Sequence, residues 1–251
     1  MVSNLFPLVA KAATTSRRGK ALVGPVDLTL DGQGTCVVIG PNGSGKTTLL
    51  RLLHGAARLT SGSIDWACPT DQAQQSQSFV FQRPVMLRRS VEENLIYPLR
   101  LHGMAKSEAL DLAHTWARRV GLQDMLKRPA PVLSGGEQQK LALARALIVT
   151  PKLVFLDEPC ASLDGRAMRE IEEILQEARA NGTRLIVSTH DMGQARRLAD
   201  SVIFMLKGQI AFRDTQGINC IFLIRFTTEQ GFLRIPASER KKRLRDALPV
   251  A

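Results

Sequence analysis

Gly40-Pro41-Asn42-Gly43-Ser44-Gly45-Lys46-Thr47-Thr48 is the stretch with the clearest chemical purpose. It fits G-x-x-x-x-G-K-[ST], in which glycines let the backbone bend around phosphate oxygens with no Cβ in the way. The exposed N–H groups of such a loop form a nest at a helix N-terminus, where the dipole also favours an anion. Lys46 adds a point charge for the β- and γ-phosphates, and the Thr47 hydroxyl suits Mg²⁺. The flanks agree: Thr35-Cys36-Val37-Val38-Ile39 is a short β-rich apolar run before the loop, and residues 48–54 read as a helix start after it. A glycine turn can match such a pattern by chance; with strand and helix both in place, the stretch implies a nucleoside-triphosphate site.

Such a loop needs a sheet to hold it, and the chain alternates in the way that builds one. Residues 26–30 alternate like a strand and Asp31-Gly32-Gln33-Gly34 is a turn, while the rest of 1–34 is weakly patterned. Residues 59–66 read as a turn and a short strand, 69–78 as a polar Gln-rich surface loop, and 78–81 as a strand ending at Gln82 and stopped by Pro84. Ser90 begins an N-capped helix, and 107–120 place Leu110, Ala113, Trp116, Ala117 and Val120 at helical spacing. A helix follows Leu133-Ser134-Gly135-Gly136-Glu137 to about Leu147. Residues 152–157 are an apolar run suited to burial on both faces, and 166–180 form a helix with Ile171, Ile174, Leu175 and Ala178 on one face. Residues 184–189 are a strand, 194–199 a helix, and 202–206 with 209–212 a hairpin across Lys207-Gly208. Strands alternating with helices predict an α/β fold with a mostly parallel sheet covered on both faces. The expected organisation is an α/β core over 1–82 and 131–213, a small helical insertion at 83–130, and a tail at 214–251. In that tail 218–226 is apolar and 237–246 basic and helix-prone.

At 251 residues the chain can bury a full α/β core. Its net charge of +11 admits nucleic acid or an anionic membrane face as a partner, or simply a scattered, solvated basic surface. Aromatic residues at 5% weaken the case for a base-stacking platform. Cys36, Cys68, Cys160 and Cys220 are far apart with no C-x-x-C pair, which predicts reduced thiols rather than a zinc site or a disulfide framework. No secretory signal is expected, and no segment approaches 18 consecutive apolar residues.

Several further motifs follow in order, and with them the chain resembles the ATP-binding subunits of ABC transporters over roughly residues 20–213. Leu133-Ser134-Gly135-Gly136-Glu137 matches the family signature, and Leu153-Val154-Phe155-Leu156-Asp157-Glu158 the second nucleotide motif. Gln82 lies where the family has its glutamine loop, Ser162-Leu163-Asp164 matches the D-loop, and His190 the switch histidine. The resemblance implies a P-loop NTPase core with an N-terminal antiparallel β part. It also implies that Asp157, at the end of a buried strand, holds Mg²⁺ with Thr47 and Gln82, and that Glu158 polarises the attacking water. Gln82 and His190 would sense that water and the γ-phosphate. Ser134 and Gly136, at a helix N-terminus, suit a second anion, which implies a homodimer sandwiching ATP with Asp164 crossing the interface. Each residue alone also has a plainer reading, as a strand cap, a loop histidine, a surface glutamine or a helix cap.

The family usually stacks an aromatic residue on adenine, yet no aromatic lies between Leu8 and Ile39, which leaves either a cation–π contact from Arg17 or Arg18 or a loosely held adenine. Cys160 and Lys140 replace the family's usual threonine and arginine. Residues 83–130 are where the family meets its membrane subunits, and 84–91 offer apolar residues for a groove. Residues 84–99 look most like importers of oxyanions such as tungstate or molybdate. The implied protein is an ATPase at the cytoplasmic face of the cell membrane, working with integral-membrane permease subunits and an extracytoplasmic substrate-binding protein, with no nucleic acid expected. The alternative is a soluble ABC-type ATPase acting on nucleic acid or a protein complex.

Overall fold

Two classes of strand account for the architecture, one buried on both faces and one on a single face. The computed structural model of the protein describes residues 4–161 and 163–214. In chain order the elements are β1 (Leu8–Arg17), β2 (Lys20–Leu30), β3 (Thr35–Ile39), α1 (Lys46–His54), β4 (Ser61–Asp65), α2 (Thr70–Gln75), β5 (Gln77–Val80), α3 (Val91–Leu101) and α4 (Lys106–Arg119). They continue as α5 (Gly135–Leu147), β6 (Leu153–Asp157), α6 (Gly165–Ala180), β7 (Arg184–Ser188), α7 (Met192–Leu198), β8 (Ser201–Leu206) and β9 (Gln209–Asp214).

Every residue of β3, β6 and β7 is buried, as a strand covered by layers on both sides requires. These strands form the middle of a sheet ordered β5-β6-β7-β3-β8-β9, parallel throughout except for β9, which pairs antiparallel to β8. Alternate side chains enter different cores. Val37, Ile39, Val154, Leu156 and Val187 face one side with α3 to α7, while Cys36, Val38, Leu153, Phe155 and Ile186 face the other with α1 and the second sheet. The predicted parallel α/β arrangement is therefore the one observed, and the loop with Lys46 emerges at the C-terminal end of the central strand β3.

Two readings of the sequence need correction. Residues 1–34 contain two long strands rather than one short one, and with β4 they make an antiparallel sheet ordered β2-β1-β4. The register shifts between Ala10 and Ala13, again before Thr15 and again before Ser16, so the period-two alternation that marks a strand is broken along β1. The Gln-rich stretch 69–78 is not a loop. It holds α2, of which only Ala73 is buried, so no apolar stripe signals the helix. Of the cysteines, Cys36 and Cys160 are buried and Cys68 half-buried, all free thiols; Cys220 and the tail segments 218–226 and 237–246 lie outside the described residues.

His54 ends α1 edge-on between Phe79 and Phe155, and its Nδ1 is buried with no hydrogen-bond partner among the described residues. Burial holds its imidazole below the usual histidine range, so the unfolded chain takes up the proton first. The stability gained by keeping His54 neutral is present above about pH 6.5 and is lost as the pH falls below it. Urea unfolding at pH 7.5 and 5.5 should therefore show a larger drop in midpoint for the wild type than for His54→Phe.

Candidate functional site

The strand β3 ends at Ile39, and at the Gly40 that follows, with φ of +153°, the chain runs so close to β8 that a Cβ would lie 2.3 Å from the Met205 carbonyl oxygen. Only glycine fits there. The loop then turns, with the Ser44 N–H donating to the Pro41 carbonyl at 3.1 Å, past Asn42 and Gly43 to Gly45, the left-handed N-cap of α1. No side chain caps α1 and no acidic residue stands in its first turn, so its leading N–H groups and positive dipole end are left for an anion. Lys46 is buried and donates to the Gly40 and Pro41 carbonyls at 3.0 and 3.5 Å, which draws its ammonium back over the loop.

The β6 strand delivers the carboxylates. Asp157 is 1% exposed, and the Thr47 hydroxyl donates to its Oδ1 at 2.9 Å. A hydroxyl and a carboxylate side by side at the loop mouth are hard oxygen donors, and no cluster of three or more histidine, cysteine or acidic groups occurs among the described residues. That is the sparse donor set suited to Mg²⁺, which takes one or two protein oxygens and fills its shell from phosphates and water.

Glu158 follows with a left-handed φ of +47°, a conformation that costs a non-glycine residue about 1–2 kcal/mol. The turn swings its side chain away from that of Asp157. Gln82 Nε2 donates to Glu158 Oε2 at 3.0 Å, His190 Nδ1 lies 3.3 Å from the same oxygen, and Lys46 Nζ is 3.5 Å from Oε1. Gln82 comes from the end of β5 and His190 from the end of β7, so four parallel strands converge on one carboxylate.

A cleft of about 570 Å³ opens over these groups, lined by Leu22, residues 42–48, Gln82, Glu158, Ala161 and His190. Gly40, Pro41 and Asp157 do not line it but hold lining residues, the first two through Lys46 and the third through Thr47. Arg17 and Arg18 do not line it. Arg17 ends β1 and Arg18 stands in the turn before β2, while Leu22, 43% exposed, presents an apolar side chain to the cleft. Leu22 carried no signal in the sequence beyond lying upstream of the loop.

Ser134, Gly135, Gly136 and Asp164 stand apart from this cleft. The Ser134 hydroxyl accepts from the Glu137 N–H, and the Glu137 carboxylate accepts from the Ser134 N–H at 2.7 Å, a capping box that starts α5. That N–H holds the Glu137 carboxyl below the usual carboxylate range. Ser134 and Gly135 remain exposed, so the start of α5 is open to solvent. A Cβ at Gly136 would lie 3.5 Å from Leu163 of the segment leading into α6, and Asp164 caps α6 by accepting from the Arg166 and Ala167 N–H groups. Ser162 lies outside the described residues.

The segment after Gln82 is tied down by a fully buried amide. Asn94 donates to the Leu87, Arg89 and Ser90 carbonyls and accepts from the Leu87 N–H and from Arg145 of α5. Arg145 also reaches the Val85 carbonyl at 2.8 Å. Of the apolar residues expected to be free here, Val85 is 71% exposed, whereas Met86 packs partly against the core. Cys160, beside the site, has its thiol pushed up to about 12 by burial and so stays protonated.

The profile of the family described as ABC transporter matches residues 23–161. The chain is 36% identical over 198 residues to the tungstate uptake system ATP-binding protein TupC of Peptoclostridium acidaminophilum, covering 78% of this chain and 92% of that one. It is 35% identical to the glutamine transport ATP-binding protein GlnQ of Escherichia coli K12, covering 74% and 82%. Among solved structures it superposes with a TM-score of 0.75 on a dimeric ATP-binding cassette in a post-hydrolysis state with ADP and phosphate, at 24% identity over 82% of this chain and 97% of that one.

Proposed function

The chain belongs to the ABC transporter family as one of its ATP-hydrolysing subunits, and on that premise we propose that it powers an importer. In this reading two copies close around two ATP molecules. The loop of residues 40–48 in one copy faces Ser134, Gly135 and Gly136 of the other, with Asp164 at the contact. The observation that carries the proposal is the convergence of Gln82, His190 and Lys46 on Glu158 beside the Thr47–Asp157 pair, which is the arrangement phosphoryl transfer to water needs.

The first amides of α1 and the Lys46 ammonium hold the β- and γ-phosphates. Thr47 and Asp157, with Gln82 nearby, are the residues that would hold Mg²⁺, whose charge offsets that developing on the phosphate oxygens. Glu158 accepts a proton from the attacking water, and Gln82 and His190 fix the direction of its carboxylate. The contribution of the protein is thus mainly positioning and charge.

The α/β core over 1–82 and 131–213 carries the nucleotide, and the helical insertion 83–130 meets integral-membrane permease subunits at the cytoplasmic face. No helix among the described residues is long and apolar enough to cross a membrane, so the path for a solute belongs to such partners. The Asn94–Arg145 link supports transmission, because it joins the segment bearing exposed Val85 to the helix that begins at Ser134. For the cargo, the stretch 84–99 and the tungstate-system relative favour an oxyanion delivered by an extracytoplasmic binding protein. Capture of the tagged chain from detergent-solubilised membranes, followed by mass spectrometry, tests the proposal. A co-purifying multi-span membrane protein is the expected result; soluble partners or nucleic acid alone would overturn the transport reading.

A further inference from the structure

We propose that Ser188 is a positioning residue for hydrolysis, a role that rests on the reading of Asp157 and Glu158 given above. Ser188 is the last residue of β7 and is 0% exposed. It pairs with Asp157 across one neighbouring strand and with Val38, just before the phosphate loop, across the other. Its hydroxyl donates to Asp157 Oδ1 at 2.7 Å and accepts from the Glu158 N–H at 3.0 Å. Its carbonyl oxygen accepts the same N–H at 3.1 Å.

One side chain therefore controls two functional groups. At Asp157, the Ser188 and Thr47 hydroxyls both end on Oδ1, and no hydrogen bond among the described residues reaches Oδ2. This fixes the carboxylate rotamer and leaves one oxygen for a cation. At Glu158, the hydroxyl joins the Ser188 carbonyl in accepting the N–H and so helps hold the backbone in its left-handed conformation, which persists only where the surroundings impose it. A relaxed backbone would carry the Glu158 carboxylate away from Gln82 and His190. The position needs a group that donates and accepts at once. Serine and threonine do so, and alanine does neither. The strand itself does not call for a hydroxyl here, since Leu185, Ile186 and Val187 are apolar and buried.

A role confined to stability and a positioning role differ in what they move. The full chain is compared as wild type, Ser188→Ala and Ser188→Thr. The readouts are kcat and KM for ATP, the Mg²⁺ concentration giving half the maximal rate, and the affinity for a fluorescent ATP analogue in EDTA. Ser188→Ala should lower kcat about 10- to 100-fold and raise the Mg²⁺ requirement several-fold. Its metal-free nucleotide affinity should stay within about twofold, and Ser188→Thr should recover kcat to within about threefold of wild type. The proposal is overturned by a Ser188→Ala kcat within about twofold of wild type, by a loss of kcat matched by an equal loss of metal-free affinity, or by Ser188→Thr as slow as Ser188→Ala. Absence of Mg²⁺-dependent hydrolysis in the wild type would instead overturn the underlying reading of the site, and the proposal with it.

Discussion

Glu158→Gln should bind ATP normally and scarcely hydrolyse it. The substitution keeps the size of the side chain and an oxygen that accepts from Gln82 Nε2, now at 3.0 Å, so the cleft retains its shape. What disappears is the negative charge that faces Lys46 and, with it, the basic oxygen that the proposed function assigns to taking a proton from water. General-base catalysis is worth roughly 10²–10⁴-fold, and the steady-state rate of phosphate release should fall by that factor. Removing a carboxylate from a cleft that receives phosphates should leave ATP affinity equal or higher. An unchanged rate would remove Glu158 from the base role and leave the phosphate loop standing.

Lys46→Ala should fail one step earlier. Lys46 is 5% exposed, and its ammonium is the cation built into the loop itself, held by the Gly40 and Pro41 carbonyls. A hydrogen bond to a charged partner contributes about 1.5–3 kcal/mol, equivalent to roughly 10- to 100-fold in affinity. Nucleotide titration should show a loss of that size. Hydrolysis at saturating ATP should fall further, because the same charge acts on the phosphate oxygens in the transition state. A Lys46→Ala protein that binds ATP as tightly as wild type would place the phosphates elsewhere.

The two variants separate binding from chemistry, and the sequence already pointed to both residues. Motifs of this kind are legible because their geometry is local: Gly40 to Thr48 make their own turn and helix start, and Asp157 simply ends an apolar run. The central strands were legible for the same reason, since burial on both faces leaves an unbroken apolar stretch. Contacts set by tertiary register were not. Ser188 reaches Asp157 because β7 lies beside β6, a pairing across 31 positions that no pattern near Ser188 announces. Leu22 meets the cleft because β2 runs past the loop, where Gly45 would bring a Cβ within 2.8 Å of Val23. The N-terminal sheet was hidden by the irregular register of β1, and α2 by the polarity of all its faces but one. The residues that stand apart from the cleft in a single copy, Ser134, Gly135, Gly136 and Asp164, sit at the starts of α5 and α6, and the proposed function gives them a purpose only in a second chain.

That dependence is best tested by the mass of Glu158→Gln in solution, measured with and without MgATP. A composite site made from two copies predicts a monomer without nucleotide and a dimer retaining two ATP molecules with it, the dimer being lost when Ser134→Arg is added to the same chain. A protein that binds ATP yet stays monomeric, or a dimer indifferent to both nucleotide and Ser134→Arg, would contradict it.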